Sequence, residues 1–200
     1  MSGKLTKLGV ALLVGLMAVG TSAQQFGSSG YNFLKAVKER DGAKATELLR
    51  AEGSTVANFK DDKGDGALHI VIARRDDEWL GFMLGNRADP NLQNRAGDTP
   101  LIVAARLGYL DGADLLLRTG ARVDLANRLG ETPLIVAVQQ RQPAVVRRLL
   151  EAGANPDKTD NASGRSARDY AKLDRRSTEL VRLIETTKAK AGAPVAGPKL

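Results

Sequence analysis

The chain has 200 residues and no cysteine, and 42% of its residues are hydrophobic although only 4% are aromatic. Without cysteine, disulfides, thiolate metal sites and a thiol nucleophile are excluded. The formal charge is +7, but residues 24–187 are nearly balanced, with 25 basic and 23 acidic residues, and most of the excess comes from Lys4, Lys7, Lys188, Lys190 and Lys199. A nucleic-acid binder usually concentrates positive charge on one face, so we expect no nucleic-acid partner.

The N-terminus has the pattern of an export signal. Two lysines precede an uncharged apolar run over 8–20, and small residues come before a cleavage site after Ala23. The apolar run is shorter than the roughly 20 residues of a membrane-spanning helix. We therefore predict a signal peptide over 1–23 and a periplasmic or secreted mature protein that begins at Gln24, without a stable membrane span. An uncleaved segment that anchors the chain in the inner membrane is the alternative.

The mature chain begins with a predicted flexible lead over 24–30, which is rich in Gly, Ser and Gln. Apolar residues at helical spacing then predict a helix pair over 31–60, and this pair lacks a Thr-Pro start, as a capping unit does. The next predicted unit, 61–93, is the least regular, and its second helix is bulky around Trp79.

An eight-residue motif at 97–104 recurs 33 residues later at 130–137, and the two copies differ only in Asp98 against Glu131. Repetition at a fixed period of this length is typical of stacked repeat proteins. In both copies a Thr-Pro pair predicts a helix start, with Thr as the N-cap and Pro at the first helical position. The predicted units that carry the motif extend over 94–126 and 127–160.

The last predicted unit, 161–185, has a charged start and one apolar face that contains Leu180, Leu183 and Ile184. A polar outer face is what the end of a solenoid needs in order to stay soluble. The remaining residues, 186–200, consist mainly of Ala, Gly, Pro and Lys without periodicity. This composition predicts a disordered basic tail.

These features resemble the ankyrin repeat, a unit of 33 residues whose first helix opens with Gly-x-Thr-Pro-Leu-His-x-Ala-Ala. The resemblance covers about 31–185 and implies an all-α solenoid of about five stacked helix-turn-helix pairs, two of them capping units. The His of the motif is present only as His69, and Arg75, Arg87 and Arg141 stand where the family has a turn glycine. A turn that keeps a positive φ would strain these arginines.

His69 is the only histidine of the chain. We interpret it as a helix-start residue bonded to neighbouring backbone, because a catalytic base or metal ligand would need acidic partners placed beside it. The acidic stretch at 61–65 lacks the distal Glu of a calcium loop. We expect no enzymatic activity, cofactor or metal, and a hydrolase with an unrecognised site is the least favoured alternative.

The resemblance also implies that residues flanking the start of each unit, and the exposed side of its first helix, form a concave face that binds proteins. We predict that the chain, as a monomer, binds a protein partner there, and exposed leucines among charged residues favour this. A membrane-tethered stress or stability factor is the alternative function. The predicted partner-binding residues are Asp61, Lys63, Asp65, Arg95, Asp98, Arg106, Leu107, Arg128, Leu129, Glu131, Gln139 and Gln140.

Overall fold

A computed structural model describes residues 21–51, 54–174 and 178–191. These parts of the chain contain ten α-helices and no β-strand, which confirms the all-α prediction. None of the helices in the described ranges is long and apolar enough to cross a membrane. Residues 1–20 of the predicted signal peptide and residues 192–200 of the predicted tail lie outside the described residues.

The helices form five consecutive pairs. The first helices of the pairs are α1 (Thr21–Glu39), α3 (Ala67–Ala73), α5 (Pro100–Leu107), α7 (Pro133–Gln139) and α9 (Ala167–Leu173). The second helices are α2 (Gly42–Arg50), α4 (Asp77–Gly85), α6 (Leu110–Arg118), α8 (Pro143–Glu151) and α10 (Thr178–Ala191). A 3₁₀ turn at Val56–Asn58 lies between the first two pairs.

The pairs stack against one another as a repeat solenoid, as predicted. Helices α3, α5, α7 and α9 contact one another in sequence as an inner row, and α4, α6, α8 and α10 do so as an outer row. Leu68, Leu101 and Leu134 are buried at equivalent positions of the inner row. Burial of each such side chain contributes about 1.5–3 kcal/mol. Ala104 and Ala105 are fully buried, and their small side chains let α5 approach its neighbours closely.

The Thr-Pro pairs begin α5 and α7, as the motif predicts. Thr99 Oγ1 accepts a hydrogen bond from the backbone N–H of Ile102 at 3.2 Å. Thr132 Oγ1 accepts the equivalent bond from Ile135, also at 3.2 Å. Both threonines are buried, so water cannot replace the hydroxyl as the acceptor. A cap of this kind contributes about 1 kcal/mol.

Two segments predicted to lack regular structure are helical where the structure describes them. Residues 24–30, predicted as a flexible lead, belong to α1, which begins at Thr21. Gly30 packs so closely that a Cβ there would lie 2.2 Å from the Phe59 ring. Residues 186–191 of the predicted disordered tail belong to α10. Extending an existing helix adds one hydrogen bond per residue, which explains how both helices continue beyond their apolar segments.

Four arginines adopt a positive φ at turns of the stack. Arg40, Arg75 and Arg141 lie between the helices of a pair, with φ of 60°, 55° and 53°, and Arg87 follows α4 with φ of 63°. Gly108 takes the equivalent position in the third pair, with φ of 65°. This conformation disfavours residues with a Cβ by about 1–2 kcal/mol. The strain predicted at the replaced glycines is therefore present.

Replacing Arg87 by Gly is expected to stabilise the protein by about 0.5–1 kcal/mol, because the relieved strain exceeds the added entropy of the unfolded chain. The Arg87 side chain is exposed and forms no ion pair within the described ranges. Arg141→Gly is the matched control, since Arg141 donates to both carboxyl oxygens of Asp174, at 2.6 and 3.0 Å, and loses that pair. Urea unfolding measures both variants, and a destabilised Arg87→Gly protein would contradict the assignment of strain.

Candidate interaction surface

Four tight loops lead into the first helices of the last four pairs. In each loop the backbone N–H of the first residue donates to the carbonyl of the last, at distances of 2.9–3.0 Å. Each loop therefore closes as a small hairpin at the N-terminus of its helix. The four loops, together termed the hairpin row, extend over 61–65, 94–98, 127–131 and 160–165.

Backbone hydrogen bonds also join neighbouring loops of the row. The N–H to carbonyl distances are 3.1, 3.1 and 2.8 Å for the pairs Arg95 to Lys63, Arg128 to Ala96, and Asn161 to Leu129. Gly97 permits the close approach, because it has φ of 82° and a Cβ there would lie 2.7 Å from the backbone nitrogen of Arg128. The loop tips therefore form a continuous edge with a fixed register.

The first residue of a loop holds that loop together with its side chain. In the third loop, Asn127 Oδ1 accepts hydrogen bonds from the backbone N–H groups of Leu129 and Glu131, both at 3.0 Å. Asn127 Nδ2 donates to Asp98 Oδ1 and to Glu131 Oε2, again at 3.0 Å. Asn94 repeats the pattern one unit earlier. Side chains of adjacent units are thus linked through asparagine amides.

Four carboxylates predicted to bind a partner are engaged within this framework. Asp98 is only 6% exposed, and its Oδ2 lies 2.8 Å from Arg106 Nη2, which corrects its assignment to the exposed surface. Asp65 accepts a hydrogen bond from the Asn94 side chain at 2.9 Å. Asp65 and Asn94 are 29 residues apart in the sequence, so a local sequence motif does not reveal this hydrogen bond. The framework carboxylates are Asp61, Asp65, Asp98 and Glu131.

Other predicted residues lie open along the row. Lys63, Arg95 and Arg128 are exposed and form no ion pair with the residues that the structure describes. Leu129 is 56% exposed between them and the last loop. The sequence predicts that Leu107 is exposed, but it is half-buried and packs against the core. The exposed part of the row therefore combines unpaired cations with one large apolar side chain.

Gln139 and Gln140 lie at the C-terminal end of α7, away from the hairpin row. They line a cleft of about 490 Å³ together with Tyr170 and Leu173. The predicted partner-binding residues therefore do not form one surface, because Gln139 and Gln140 lie in this cleft and not on the hairpin row. Sequence reasoning missed Leu173, which is 60% exposed, although it follows Gln140 by one repeat period and could have been found from that spacing.

Hydrogen bonds lower the pKa of two loop carboxylates, Asp61 and Asp160. Burial by itself raises the pKa of Asp61, but hydrogen bonds from the N–H groups of Lys63 and Asp65, together with the Lys38 ammonium 3.3 Å away, outweigh burial and hold that pKa below its usual range. The Tyr170 hydroxyl, which donates to Asp160 at 2.6 Å, is the main cause that lowers the pKa of Asp160 to about 2. Asp61, Asp98 and Asp160 are therefore satisfied by groups of the loops and of the adjoining helices, and the exposed charged side chains of the row are mainly basic.

His69 is 3% exposed and joins the second pair to the third. The backbone N–H of Gly66 donates to its Nδ1 at 3.2 Å, so Nε2 carries the proton and donates to the Asp98 carbonyl at 2.9 Å. The interpretation of His69 as a helix-start residue bonded to backbone is confirmed. Across the described residues, no group of three or more His, Asp or Glu side chains is placed to hold a metal ion.

The free energy of unfolding is expected to fall as the pH drops below 6.5, the ordinary pKa of histidine, because burial lowers the pKa of His69 in the folded chain. The unfolded chain then binds the proton first, at a cost of at most about 1.4 kcal/mol per pH unit. His69→Ile is the control, since Ile102 and Ile135 hold the equivalent positions. Urea unfolding of this variant should show no such decline between about pH 5 and 6.5. An unchanged decline would contradict the role of His69.

Comparison with known proteins agrees with this repeat geometry. Residues 33–124 and, overlapping them, 68–160 match the family model described as ankyrin repeats in three copies. The two matches together reach from α1 through α8 and span more than half of the chain. The resemblance indicated by the Thr-Pro motif is therefore confirmed. The chain belongs to the ankyrin-repeat family.

Proposed function

We propose that this chain is an exported, non-enzymatic module that binds another protein through the hairpin row and the adjoining first helices. Ankyrin repeats are protein–protein interaction modules. The observation that carries the choice of face is the exposed Leu129 beside the unpaired Arg128. An apolar anchor within a polar rim is the arrangement by which interfaces gain affinity. The module acts as a monomer and needs no cofactor.

A pull-down from periplasmic extract tests the binding face. The tagged double variant Leu129→Asp/Arg128→Glu should lose the proteins that the wild-type chain retains, because both changes lie on the row. Leu110→Asp/Arg122→Glu is the matched control, since Leu110 is 38% exposed on α6 and Arg122 is exposed without an ion pair among the described residues. Circular dichroism checks that both variants are folded. Equal retention by wild type and the row variant would refute the proposed face.

Export is proposed from the N-terminal pattern of two lysines, an apolar run and small residues before Ala23. Sequencing the N-terminus of the protein purified from its native host separates the two proposals for its location. A chain that starts at Gln24 supports cleavage and a periplasmic or secreted module. An intact N-terminus in the membrane fraction supports the alternative, a tethered stress or stability factor.

A further inference from the structure

The exposed charged side chains in the last three loops of the hairpin row are all basic. Each of these loops carries one exposed arginine, and none of the three forms an ion pair with the residues that the structure describes. The carboxylates of the same loops, Asp98, Glu131 and Asp160, are buried or half-buried and accept hydrogen bonds from neighbouring groups. A ligand on the outside of these loops would therefore meet positive charge. The exposed arginines are Arg95, Arg128 and Arg165.

The first and last loops of the row differ from each other in charge. The first loop is mixed, since the exposed Asp62 lies beside the exposed Lys63 at its tip. The last loop is one residue longer than the others, and Arg165 stands where the third loop has Glu131. The exposed charge of the row is therefore purely basic only from the second loop to the fourth. We term these three loops, 94–98, 127–131 and 160–165, the basic section.

Arg95 and Arg128 hold equivalent positions in two neighbouring loops of the basic section. Each donates its backbone N–H to a carbonyl of the preceding loop at 3.1 Å. The glycine of that preceding loop has a positive φ, and a Cβ on Gly64 or Gly97 would lie 2.5 Å or 2.7 Å from the arginine nitrogen. The two backbones are thus fixed in the same way. Each guanidinium is a planar fork of N–H donors that matches a carboxylate.

Leu129 adds an apolar contact to the basic section. It is 56% exposed and follows Arg128 on the same loop tip. The equivalent residues of the neighbouring loops are Ala96 and Ala162, whose exposed side chains extend by only one carbon. A large apolar side chain thus lies among arginines, and contact with a partner would remove it from water.

We infer that the basic section binds an acidic segment of a partner protein that carries an apolar side chain among its carboxylates. The inference rests on the proposed function and adds the chemistry of the partner. The carboxylates pair with Arg95, Arg128 and Arg165, and the apolar side chain contacts Leu129. Because the arginines are solvated, they determine selectivity and association rate more than affinity, and binding weakens with salt.

A nucleic acid would also meet these arginines, but the basic section suits it less well. Proteins that bind single-stranded nucleic acid combine positive charge with aromatic side chains on which the bases stack. The loops of the hairpin row contain no aromatic residue. The exposed Leu129 cannot donate a hydrogen bond to a phosphate or a base. Both observations favour a peptide with an apolar side chain.

Fluorescence anisotropy with three labelled peptides tests the inference on the full chain at low ionic strength, where exposed charges are least screened. The acidic peptide has four Glu around one Leu, among Ser and Gly. The second peptide has Gln in place of each Glu, and the third has Ser in place of Leu. The acidic peptide should bind about tenfold more tightly than the Gln peptide, and this preference should shrink as salt is added.

Two triple variants with the same change in net charge separate the basic section from general attraction. Arg95→Gln/Arg128→Gln/Arg165→Gln should remove the preference for Glu over Gln. Arg50→Gln/Arg122→Gln/Arg182→Gln should keep it, because these arginines are equally exposed, form no ion pair among the described residues and lie outside the row. Leu129→Ala should remove only the preference for Leu over Ser. Circular dichroism checks that all variants are folded.

Four results would overturn the inference. They are equal binding of the Glu and Gln peptides, no binding of any peptide, an equal loss of preference in both triple variants, and tighter binding of a single-stranded oligonucleotide of the same charge. The proposed function is tested separately, because the pull-down with Leu129→Asp/Arg128→Glu does not depend on the sequence of the ligand. Failure of the peptides with success of the pull-down would mean that the row binds a partner of other chemistry.

Discussion

Gly97→Ala is expected to lower the free energy of unfolding by about 3 kcal/mol, as the sum of backbone strain and overpacking. Gly97 has φ of 82°, and a Cβ there would lie 2.7 Å from the backbone nitrogen of Arg128 and 3.0 Å from its Cγ. The backbone of the next loop cannot move away without breaking the Arg128 N–H to Ala96 carbonyl bond, which measures 3.1 Å. The loss therefore affects the junction between two units.

Gly120→Ala separates the two contributions. Gly120 has φ of 96°, but nothing lies within 4 Å of a Cβ at that position. Its replacement should cost only the strain of the positive φ, about 1 kcal/mol. Urea unfolding of both variants gives the comparison. Equal losses would mean that the loops do not touch as closely as the structure indicates.

Asn127→Ala should cost about 2–3 kcal/mol, because it leaves the backbone N–H groups of Leu129 and Glu131 without their acceptor. The Asn127 amide also links Asp98 of the preceding loop to Glu131 of its own. Asn127 is 9% exposed, so water cannot fully replace these bonds. The substitution therefore loosens the third loop and its attachment to the second.

Asn161→Ala is the matched control in the last loop. Its side chain is exposed and makes no hydrogen bond within the part of the chain that the structure describes. The expected change is within about 0.5 kcal/mol, as for most surface positions. Chemical denaturation followed by circular dichroism measures both variants. A comparable loss for Asn127→Ala and Asn161→Ala would show that the asparagine network contributes little.

The repeat fold could be predicted from the sequence because its signals are local and recur. Thr99-Pro100 and Thr132-Pro133 carry a cap and a helix start in adjacent residues, and the period places them at equivalent points of the stack. The positive φ of Arg75 and Arg141 follows from the same alignment with Gly108. Each of these features depends on a few neighbouring residues.

The ends of the solenoid were harder to predict. Composition suggested that 24–30 and 186–200 lack regular structure, whereas α1 begins at Thr21 and α10 continues to Ala191. Extension of a helix beyond its packed face depends on the helix already formed as well as on the propensities of the local residues. Gly and Ser in 24–30 and Lys in 186–191 therefore gave the wrong indication, while residues 192–200 lie outside the described residues.

The sequence predicts which loop-tip residues are exposed, but it does not predict which of the charged side chains are bonded to other residues of the chain. Exposure of Arg128 and Leu129 follows from their position at a loop tip. The engagement of Asp98 does not, because its partner Asn127 lies 29 residues away. The recurrence of Asn94 and Asn127 one period apart was the available signal for this framework. In the sequence, Asp98 and Arg128 both look like exposed charged residues of a loop. In the structure, Asp98 is bonded inside the framework and Arg128 is exposed.

Photo-crosslinking in living cells tests most directly whether the hairpin row is the binding surface. A photoreactive amino acid replaces Leu129 in one version of the full chain and Leu110 in another, and the crosslinked products are compared by immunoblot. Because Leu129 lies on the row and Leu110 on α6, we expect a discrete protein adduct from position 129 and none from position 110. An adduct from position 110 alone, or from neither position, would contradict binding through the row.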